Sequence, residues 1–294
     1  MKFLIIANPK SGKKQSLTIG RLVKNKLFKK NINFDFQETM FVGHASQIVQ
    51  KIDLKEYTGL IVIGGDGTFH EVVNGLMHRQ DNYKVPVGLI PGGSGNSFLY
   101  ESSYQDPMLF LDNILKLKKR SIDIIKVQTS NEFIYSINLV GWGLVTDIGT
   151  SAEKFRWLGT NRYTLTSIIE IIKNKKRRAC LTINNIKNQN NFTFIIACNT
   201  KYVGKGMFMA PKAKIDDGLL DLIVVKGNLS RMTLFKTLPK LFKGSHINDP
   251  NVSYHQVSNF SLETEQKNLL NIDGEMKGYT SIHVNLMHNA IEMI

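Results

Sequence analysis

The segment at residues 60–76, which reads LIVIGGDGTFHEVVNGL, constrains the fold more than any other part of the chain. It begins with four consecutive apolar residues, as a buried parallel strand does. Two glycines and an aspartate follow, and then apolar residues recur at helical spacing. Thr68, with Glu71 three residues later, is the pattern of a capping box, which predicts that the helix begins at Thr68. The segment therefore predicts a strand, a glycine turn and a helix.

The glycine turn of this segment is a candidate phosphate site. Gly64, Gly65 and Gly67 would leave backbone N–H groups unobstructed, and the helix that follows would add partial positive charge at its N-terminus. Asp66 is the exception, because a carboxylate repels phosphate. It suits a proton acceptor or a magnesium partner. A tight strand-to-helix turn in which Asp66 caps the helix is the alternative, since motifs this short are common.

Size and composition indicate a folded protein with room for two modest domains or one large one. The chain has 294 residues, of which 42% are hydrophobic. It contains no apolar run long enough to span a bilayer. Cys180 and Cys198 lie in apolar, strand-like surroundings, which predicts buried thiols in a reducing cytoplasm rather than a disulfide.

The formal net charge of +14 favours anionic partners such as nucleotide phosphates or acidic lipid headgroups. Charge that serves only solubility is the alternative. No helix-turn-helix, zinc-finger or RNP pattern is present, so nucleic acid is not expected as a partner.

Residues 1–121 predict an α/β domain with a parallel sheet and helices on both of its faces. Strands are predicted at residues 2–7, 34–38, 60–63 and 87–90, and helices follow them. Three turns rich in glycine or asparagine come directly after strands, at residues 8–12, 64–68 and 92–96. They therefore lie at the carboxyl ends of strands, where open α/β sheets bind ligands.

Residues 122–294 predict a second, mostly antiparallel β domain of the sandwich type. Short strand-like runs are interrupted by two helical stretches, at residues 162–173 and 232–242. The strand-like runs are residues 122–128, 133–139, 178–183, 192–199, 219–225, 260–262, 269–272 and 282–286. The extreme C-terminus is a candidate to pack back on the first domain, and the active site is expected in a cleft between the domains.

A further motif, Asn271-Ile272-Asp273-Gly274-Glu275, follows a strand near the C-terminus. Its two carboxylates flank a glycine and could hold a metal, orient a nucleoside or assist proton removal. An ordinary Asx or glycine turn is the alternative.

The ordered motifs NPKSGK, GGDGTFHEVVNGL, PGGSGNSF and NIDGE resemble those of the diacylglycerol kinase catalytic-domain superfamily of lipid kinases. Between them, WGLVTDIGTSAEKFRWLGTNRYTL and the PGGSGN loop are closest to the sphingosine and ceramide kinase branch. The resemblance covers essentially the whole chain. It implies an N-terminal domain similar to NAD kinase and phosphofructokinase, which holds ATP, and a C-terminal β-sandwich domain, which supplies a lipid pocket. The implied reaction transfers the γ-phosphoryl group of Mg-ATP to the hydroxyl of a diacylglycerol, ceramide or sphingoid-type lipid.

The resemblance also implies the site residues. The nucleotide would be bound by residues of the three turns, by two arginines and by the C-terminal motif. These are Asn8, Pro9, Ser11, Gly12, Lys13, Thr39, Gly64, Gly65, Gly67, Thr68, Gly93, Ser94, Gly95, Asn96, Arg156, Arg162 and Gly274. A guanidinium fork suits phosphate on physical grounds as well. Magnesium would be held by Asp217 with the backbone carbonyls of Lys214 and Leu219.

Two assignments of the proton acceptor follow from the resemblance. The sphingosine kinase branch favours Asp66, whereas bacterial diacylglycerol kinases favour the motif that carries Asp273 and Glu275. We expect Asp66 to take this role, with Asp273 and Glu275 behind it. Phosphoryl transfer depends mostly on positioning and charge neutralisation, so the base is expected to contribute less than the arginines and the metal.

One departure from the branch bears on the substrate. Sphingosine kinases carry an Asp-Val-Asp stretch whose second aspartate meets the amine of the sphingoid base. This chain has Asp147-Ile148-Gly149, so a glycine stands at that place, and Asp147 is the remaining candidate contact. A neutral lipid such as ceramide or diacylglycerol is therefore favoured, since losing a desolvated ion pair costs about 2–5 kcal/mol.

Two other functions remain open at this point, a soluble-acceptor kinase of the NAD kinase type and a non-catalytic nucleotide- or lipid-sensing regulator. We expect a cytoplasmic protein that contacts the membrane peripherally, and a homodimer is left open. An apolar stripe at residues 234–242 with lysines beside it either docks on an anionic membrane or belongs to a buried helix with a basic outer face.

Overall fold

The fold is taken from a computed structural model, which describes all residues except 94–95, 101–105, 159–160, 174 and 205. For Lys13, Lys14, Arg156 and Asn161 it describes the backbone alone. The described chain divides into two compact units. The first comprises Met1–Ile124 with Asn289–Ile294, and the second comprises Ile125–His288.

The first unit is built on a parallel sheet. Its elements in chain order are β1 (Lys2–Ala7), α1 (Gln15–Lys29), β2 (Asn33–Glu38), α2 (His44–Lys51), β3 (Gly59–Gly64), α3 (Asp66–Met77), β4 (Val87–Pro91) and α4 (Pro107–Ile114). The strands pair side by side in the order β4, β3, β1, β2, and every one of these pairings is parallel. Strand β3 is buried along its whole length, as its continuous apolar run predicts. The order places the chain segments that follow β1, β3 and β4 at one edge of the sheet.

The second unit is built from antiparallel strands. Its elements are β5 (Arg120–Gln128, which begins in the first unit), β6 (Phe133–Ser136), β7 (Leu139–Gly143), α5 (Leu144–Lys154), α6 (Asn161–Lys173), β8 (Arg177–Ile183), β9 (Ile186–Cys198), β10 (Leu220–Lys226), α7 (Arg231–Lys243), β11 (Val252–Val257), β12 (Asn259–Glu263), β13 (Leu269–Ile272), β14 (Glu275–Tyr279) and β15 (Ile282–Met293, which ends in the first unit). The side chains of β9 alternate between two hydrophobic clusters, Ile195 and Ala197 in one, Phe194 and Ile196 in the other. Both faces of the second half of this strand are therefore buried, whereas its first residues are exposed.

The predicted fold class is confirmed, with a parallel α/β unit followed by an antiparallel β unit. The elements differ from the prediction in detail. The single strand predicted at residues 133–139 is two strands, because the chain turns between Ser136 and Leu139. Helix α5 and strands β11 and β14 were not predicted. Strand β14 is short and partly exposed, so it lacks an apolar run.

The predicted capping box of α3 is wrong. The helix begins at Asp66 rather than Thr68. The Glu71 carboxylate accepts hydrogen bonds from the backbone N–H groups of Gly43 and Ala45, at 2.8 and 3.1 Å. Glu71 therefore satisfies the N-terminus of the neighbouring helix α2 instead of its own.

Both cysteines are free thiols, as predicted. Cys198 is buried as predicted, whereas Cys180 is only partly buried. Among the described helices, none has the length and hydropathy needed to cross a membrane.

The apolar stripe of α7 mostly faces the core. Leu234 is buried, and Phe235, Leu238 and Leu241 pack against a hydrophobic cluster of the second unit. Phe242 alone of the stripe is exposed.

Candidate active site

Three loops of the first unit meet at the carboxyl ends of β1, β3 and β4. Hydrogen bonds join them in pairs. The Asn8 side chain of the first loop donates to Thr68 Oγ1 at 3.1 Å, and Gly92 N of the third loop donates to Gly64 O of the second at 2.8 Å. Ser16 Oγ, at the start of α1, donates to Gly92 O at 3.2 Å. The three turns predicted from sequence thus form one connected structure.

Glycines allow these loops to approach one another. A Cβ on Gly93 would lie 2.5 Å from Gly65 Cα, and a Cβ on Gly12 would lie 2.0 Å from Gly92 O. Gly12 also has a positive φ of 57°, which disfavours any other residue. The close approach leaves a cradle of bare backbone beside the N-terminus of α3, which is the arrangement that binds phosphate.

Asn96 completes the third loop and offers an unused polar atom. Its backbone lies in the left-handed region with φ 37°, and its Nδ2 donates to Gly93 O at 3.0 Å. Its Oδ1 is buried and has no hydrogen-bond partner among the described residues. A buried acceptor without a partner is costly, so a ligand donor such as a ribose hydroxyl fits at this place. With the glycine cradle, these residues fit a nucleotide.

Asp66 occupies the first position of α3 and anchors the third loop. Its Oδ2 accepts from Ser97 N at 2.7 Å, and its Oδ1 accepts from Phe98 N at 3.2 Å. The carboxylate thus sits at the cradle with its negative charge stabilised by backbone donors and by the helix N-terminus. Sequence analysis assigned Asp66 a chemical role and did not foresee the anchoring.

The other nucleotide residues predicted in the first unit lie in or beside these loops. Thr39 is buried after β2, and its N–H donates to Ala7 O at 2.9 Å. Pro9 precedes a 3-10 turn that contains Ser11 and Lys13, and Gly67 lies in the first turn of α3. Ser94, Gly95 and the Lys13 side chain lie outside the described residues.

In the second unit, Asp273 and Gly274 form a two-residue hairpin turn between β13 and β14. Both have positive φ, 53° and 89°, as a type I′ turn requires. Ile272 pairs with Glu275 directly across the turn. An Asp-Gly pair is the strongest short hairpin signal in a sequence, and it could have predicted β14.

The Asp273 carboxylate holds the turn between β6 and β7. Its Oδ1 accepts from Ser136 Oγ, Asn138 N and Leu139 N at 2.7 to 3.0 Å, and its Oδ2 accepts from Ile137 N at 2.9 Å. Four hydrogen bonds from one turn are typical of a carboxylate that positions backbone. Glu275 differs, because its partly exposed carboxylate pairs with Lys277 at 3.1 Å.

Arg162 lies in the first turn of α6 with most of its side chain buried. It lies 4.0 Å from Glu153 and 3.1 Å from the Tyr163 hydroxyl. Its Nε is buried without a hydrogen-bond partner among the described residues, so a donor remains for an anionic group. Arg156 lies in a 3-10 turn, and its side chain is outside the described residues.

Gly149 packs α5 against the hairpin that Asp273 begins. A Cβ on Gly149 would lie 2.5 Å from Met276 Cε and 3.6 Å from Asn271 Nδ2. Met276 therefore fills the space beside Gly149, where the resemblance places a carboxylate in sphingosine kinases. Sequence analysis missed Met276, which only the pairing of β13 with β14 brings to α5.

Asp147 forms an ion pair with Arg177, and Lys175 lies 4.0 Å from the same carboxylate oxygen. The side chains of Asp147 and Arg177 are mostly buried. The predicted substrate contact is thus already paired with a guanidinium. An amine would have to displace Arg177 to bind there.

The predicted magnesium residues lie in the turn before β10. Asp217 Oδ1 accepts from Leu219 N at 3.1 Å. Among the described residues, no three His, Cys, Asp or Glu side chains gather in a way that could hold a metal ion. One carboxylate with the carbonyl oxygens of Lys214 and Leu219 is nonetheless the hard oxygen chemistry that suits Mg²⁺, which keeps several waters when bound.

Comparison with protein families identifies the chain. The model of the diacylglycerol kinase catalytic domain matches residues 2–127. The model of the YegS C-terminal NAD kinase beta sandwich-like domain matches residues 138–294, more than half of the chain. The protein belongs to the diacylglycerol kinase superfamily of lipid kinases. The resemblance seen in the ordered motifs is confirmed.

Individual relatives of this lipid kinase are sphingosine kinases. Sphingosine kinase 1 of Arabidopsis thaliana is 28% identical, with 94% of this chain and 68% of the relative covered. Sphingosine kinase 1 of Homo sapiens is 25% identical, with 94% of this chain and 86% of the relative covered. The similarity to the sphingosine kinase branch was predicted from the α5–α6 motif.

Solved structures share the fold of this lipid kinase. A diacylglycerol kinase from Bacillus anthracis matches with a TM-score of 0.80 at 24% identity, covering 100% of this chain and 96% of its own. An NAD kinase from Archaeoglobus fulgidus, solved in complex with ATP, matches with a TM-score of 0.54 at 10% identity, covering 100% and 93%. The NAD kinase-like fold predicted from the resemblance is confirmed.

Proposed function

We propose that this protein transfers the γ-phosphoryl group of Mg-ATP to the hydroxyl of a long-chain lipid whose headgroup is neutral, such as diacylglycerol or ceramide. The observation that carries the proposal is the glycine cradle of the first unit, in which three loops and a helix N-terminus present backbone donors at one edge of a parallel sheet.

The proposed nucleotide and magnesium residues come from both units. Backbone N–H groups around Gly65 and Gly93 bind phosphate oxygens, and Asn96 Oδ1 accepts a hydrogen bond from the ligand. Asp217 and the carbonyls of Lys214 and Leu219 would hold Mg²⁺, which would supply positive charge. Arg162 supports phosphate through its unused Nε.

Asp66 accepts the proton of the lipid hydroxyl. It is the carboxylate that lies at the phosphate cradle itself, whereas the four hydrogen bonds of Asp273 suit it to positioning the turn between β6 and β7. A general base of this kind contributes about 10²- to 10⁴-fold to the rate.

The neutral headgroup is inferred from Gly149, which leaves no carboxylate at the place where the resemblance puts the amine-binding aspartate of sphingosine kinases. Gly149 contacts the thioether of Met276, and Asp147 is paired with Arg177. A primary amine would therefore lose its hydration without gaining an ion pair, which is unfavourable. A neutral amide or ester headgroup carries no such cost.

The lipid is reached by peripheral contact with an anionic membrane. Large apolar side chains are exposed on α6, on α7 and in the turn before α6, including Trp157, Ile172, Met232 and Phe242. Exposed lysines lie on α7 beside them, among them Lys243. Apolar residues with lysines around them are typical of helices that lie in the membrane interface.

A lipid-panel assay tests the proposal. The protein is incubated with γ-labelled ATP and mixed micelles that contain ceramide, diacylglycerol, monoacylglycerol or sphingosine, with and without EDTA. We expect magnesium-dependent label in ceramide or diacylglycerol and little in sphingosine. Sphingosine as the best acceptor would contradict the neutral headgroup. Label in a water-soluble acceptor alone, or in no acceptor, would contradict the lipid kinase proposal.

A further inference from the structure

A cavity of about 430 Å³ in the second unit contains the Asp147–Arg177 ion pair and none of the proposed nucleotide or magnesium residues in its lining. It is bounded by one face of α5, the end of α6, the start of β8 and the start of β13. Its α5 residues are Thr146, Asp147, Thr150, Ser151 and Lys154, whereas Gly149 points from another face of the helix to Met276. We call it the cationic cavity.

Positive charge dominates the lining. The cationic side chains are Lys154, Lys173, Lys175, Arg177 and Lys267. The acidic side chains are Asp147 and Glu170. Arg177 forms an ion pair with Asp147, and Lys173 Nζ lies 2.6 Å from Glu170 Oε1.

Two of the lysines have no hydrogen-bond or ion-pair partner among the described residues. Lys154 and Lys267 form no hydrogen bond or ion pair with any residue in the described part of the chain, and both are exposed. Lys175 reaches Asp147 only at 4.0 Å. Three ammonium groups around one hollow repel one another unless an anion lies between them.

Glu170 places a second chemical requirement on a ligand of the cationic cavity. Its side chain is only 2% exposed, and its Oε1 accepts from Ser151 Oγ at 2.6 Å. Burial would raise the pKa of Glu170, but the hydrogen bonds from Lys173 and Ser151 outweigh it and hold the pKa below its ordinary value. The group is therefore a carboxylate, and its Oε2 is buried without a hydrogen-bond partner among the described residues. A ligand that fits needs a donor as well as an anion.

We propose that the cationic cavity binds a phosphate ester that carries a hydroxyl group, with the phosphate between Lys154, Lys175 and Lys267 and the hydroxyl donating to Glu170 Oε2. Trp142, whose Nε1 donates to Asn268 Oδ1 at 3.1 Å, forms a rigid wall of the cavity. A phosphoglycerol group has the required chemistry. It is found both in the headgroup of phosphatidylglycerol and in free glycerol phosphate.

Binding to the full-length protein tests the proposal without reading kinase activity, so its outcome is independent of the proposed function. The probes are glycerol 3-phosphate and methyl phosphate, measured by calorimetry, and vesicles of phosphatidylcholine with or without phosphatidylglycerol, measured by cosedimentation. The variant is Lys154→Ala with Lys267→Ala. The matched control is Lys176→Ala with Lys187→Ala, which removes the same charge from exposed lysines of the same unit that do not line the cavity.

We expect the cavity variant to bind the phosphoglycerol probe roughly 30-fold more weakly, and the control to bind it nearly as wild type does. If the cavity variant binds both the soluble probe and the vesicles more weakly than wild type does, a free phosphate ester is sufficient for binding. If the cavity variant loses binding to the vesicles alone, the ligand of the cavity is a lipid headgroup. Equal weakening in the variant and the control, or no binding of either phosphoglycerol probe by wild type, would overturn the site. Methyl phosphate binding as tightly as glycerol 3-phosphate would overturn the role of Glu170.

Discussion

At the level of single residues, Gly149 and Met276 decide what a lipid headgroup would meet beside α5. The glycine removes a carboxylate, and the methionine fills the space that a side chain would need. Met276 Cε is the end of a flexible side chain, so the space can be reopened by truncation.

The double variant Gly149→Asp with Met276→Ala should therefore shift substrate preference toward an amine-bearing lipid. We expect the ratio of kcat/KM for sphingosine to that for diacylglycerol to rise at least about tenfold, because a desolvated ion pair becomes available. Met276→Ala alone is the control and should leave the ratio near its wild-type value. An unchanged ratio in the double variant would show that Gly149 does not lie beside the headgroup.

A buried carboxylate in the second unit makes stability depend on pH. Asp221 is fully buried on β10 and accepts from the Tyr254 hydroxyl at 2.6 Å. Burial raises the pKa of Asp221 to about 6, against which the Tyr254 hydrogen bond acts. Because the folded state holds this proton more tightly than the unfolded state does, stability is expected to fall as pH rises from about 4 to about 6.

Asp221→Asn should remove this dependence while keeping the hydrogen bond from Tyr254. A rise of about two pKa units corresponds to about 3 kcal/mol, so the variant should be more stable than wild type by up to that amount at neutral pH. The difference should vanish near pH 4. Urea unfolding in EDTA across this range measures it, and a variant less stable than wild type at neutral pH would refute the interpretation.

At the level of elements, the Asp273-Gly274 hairpin and the turn that it holds are one structural unit. Asparagine tolerates the left-handed backbone at position 273, so Asp273→Asn keeps the turn and changes only the acceptor. The amide NH₂ would face backbone donors now bound by the carboxylate.

We expect Asp273→Asn to lower the free energy of unfolding by roughly 2–4 kcal/mol, since several hydrogen bonds to a partly buried charge are lost. Glu275→Gln is the matched control within the same motif and should cost less than about 1 kcal/mol, because its single ion pair with Lys277 is partly exposed to solvent. Similar small losses in both variants would show that Asp273 does not hold the turn.

The three loops of the first unit also contact one another, and the variant Gly93→Ala tests the contact between the second and third loops. Gly93→Ala would place a Cβ against Gly65 Cα, so the second and third loops would have to separate. We expect the KM for ATP to rise at least about tenfold with a smaller change in the thermal midpoint, because the cradle is displaced while the sheet remains. An unchanged KM would mean that nucleotide does not enter between these loops.

At the level of the whole molecule, the sequence predicts the parallel unit well because its signals are local. Buried strands such as β3 are continuous apolar runs, and each is followed by a turn and a helix. The antiparallel unit is harder to predict. Strand β14 carries little hydrophobic pattern, and its place follows from the Asp-Gly turn rather than from its own residues.

The candidate site also contains some features that local sequence predicts and others that it does not. The loops that meet in the first unit could be located from their glycines, because the carboxyl ends of parallel strands share one edge. Three contacts in the second unit join residues that are distant in sequence. They are the ion pair of Asp147 with Arg177, the hydrogen bonds of Asp273 with the turn between β6 and β7, and the contact of Met276 with Gly149. No local pattern encodes such pairs, so they appear only once the strands are in register.

The most direct test of the whole account is the turnover of Asp66→Asn on a neutral lipid. The account predicts that kcat for diacylglycerol or ceramide, whichever is the better acceptor, falls about 100-fold or more with the fold intact by thermal unfolding. The KM for ATP should rise by a smaller factor, because an asparagine can accept from only one of the two backbone donors that Asp66 now binds. Wild-type turnover, or a loss that appears in the KM for ATP alone, would contradict it, because Asp66 would then anchor the third loop without taking the proton.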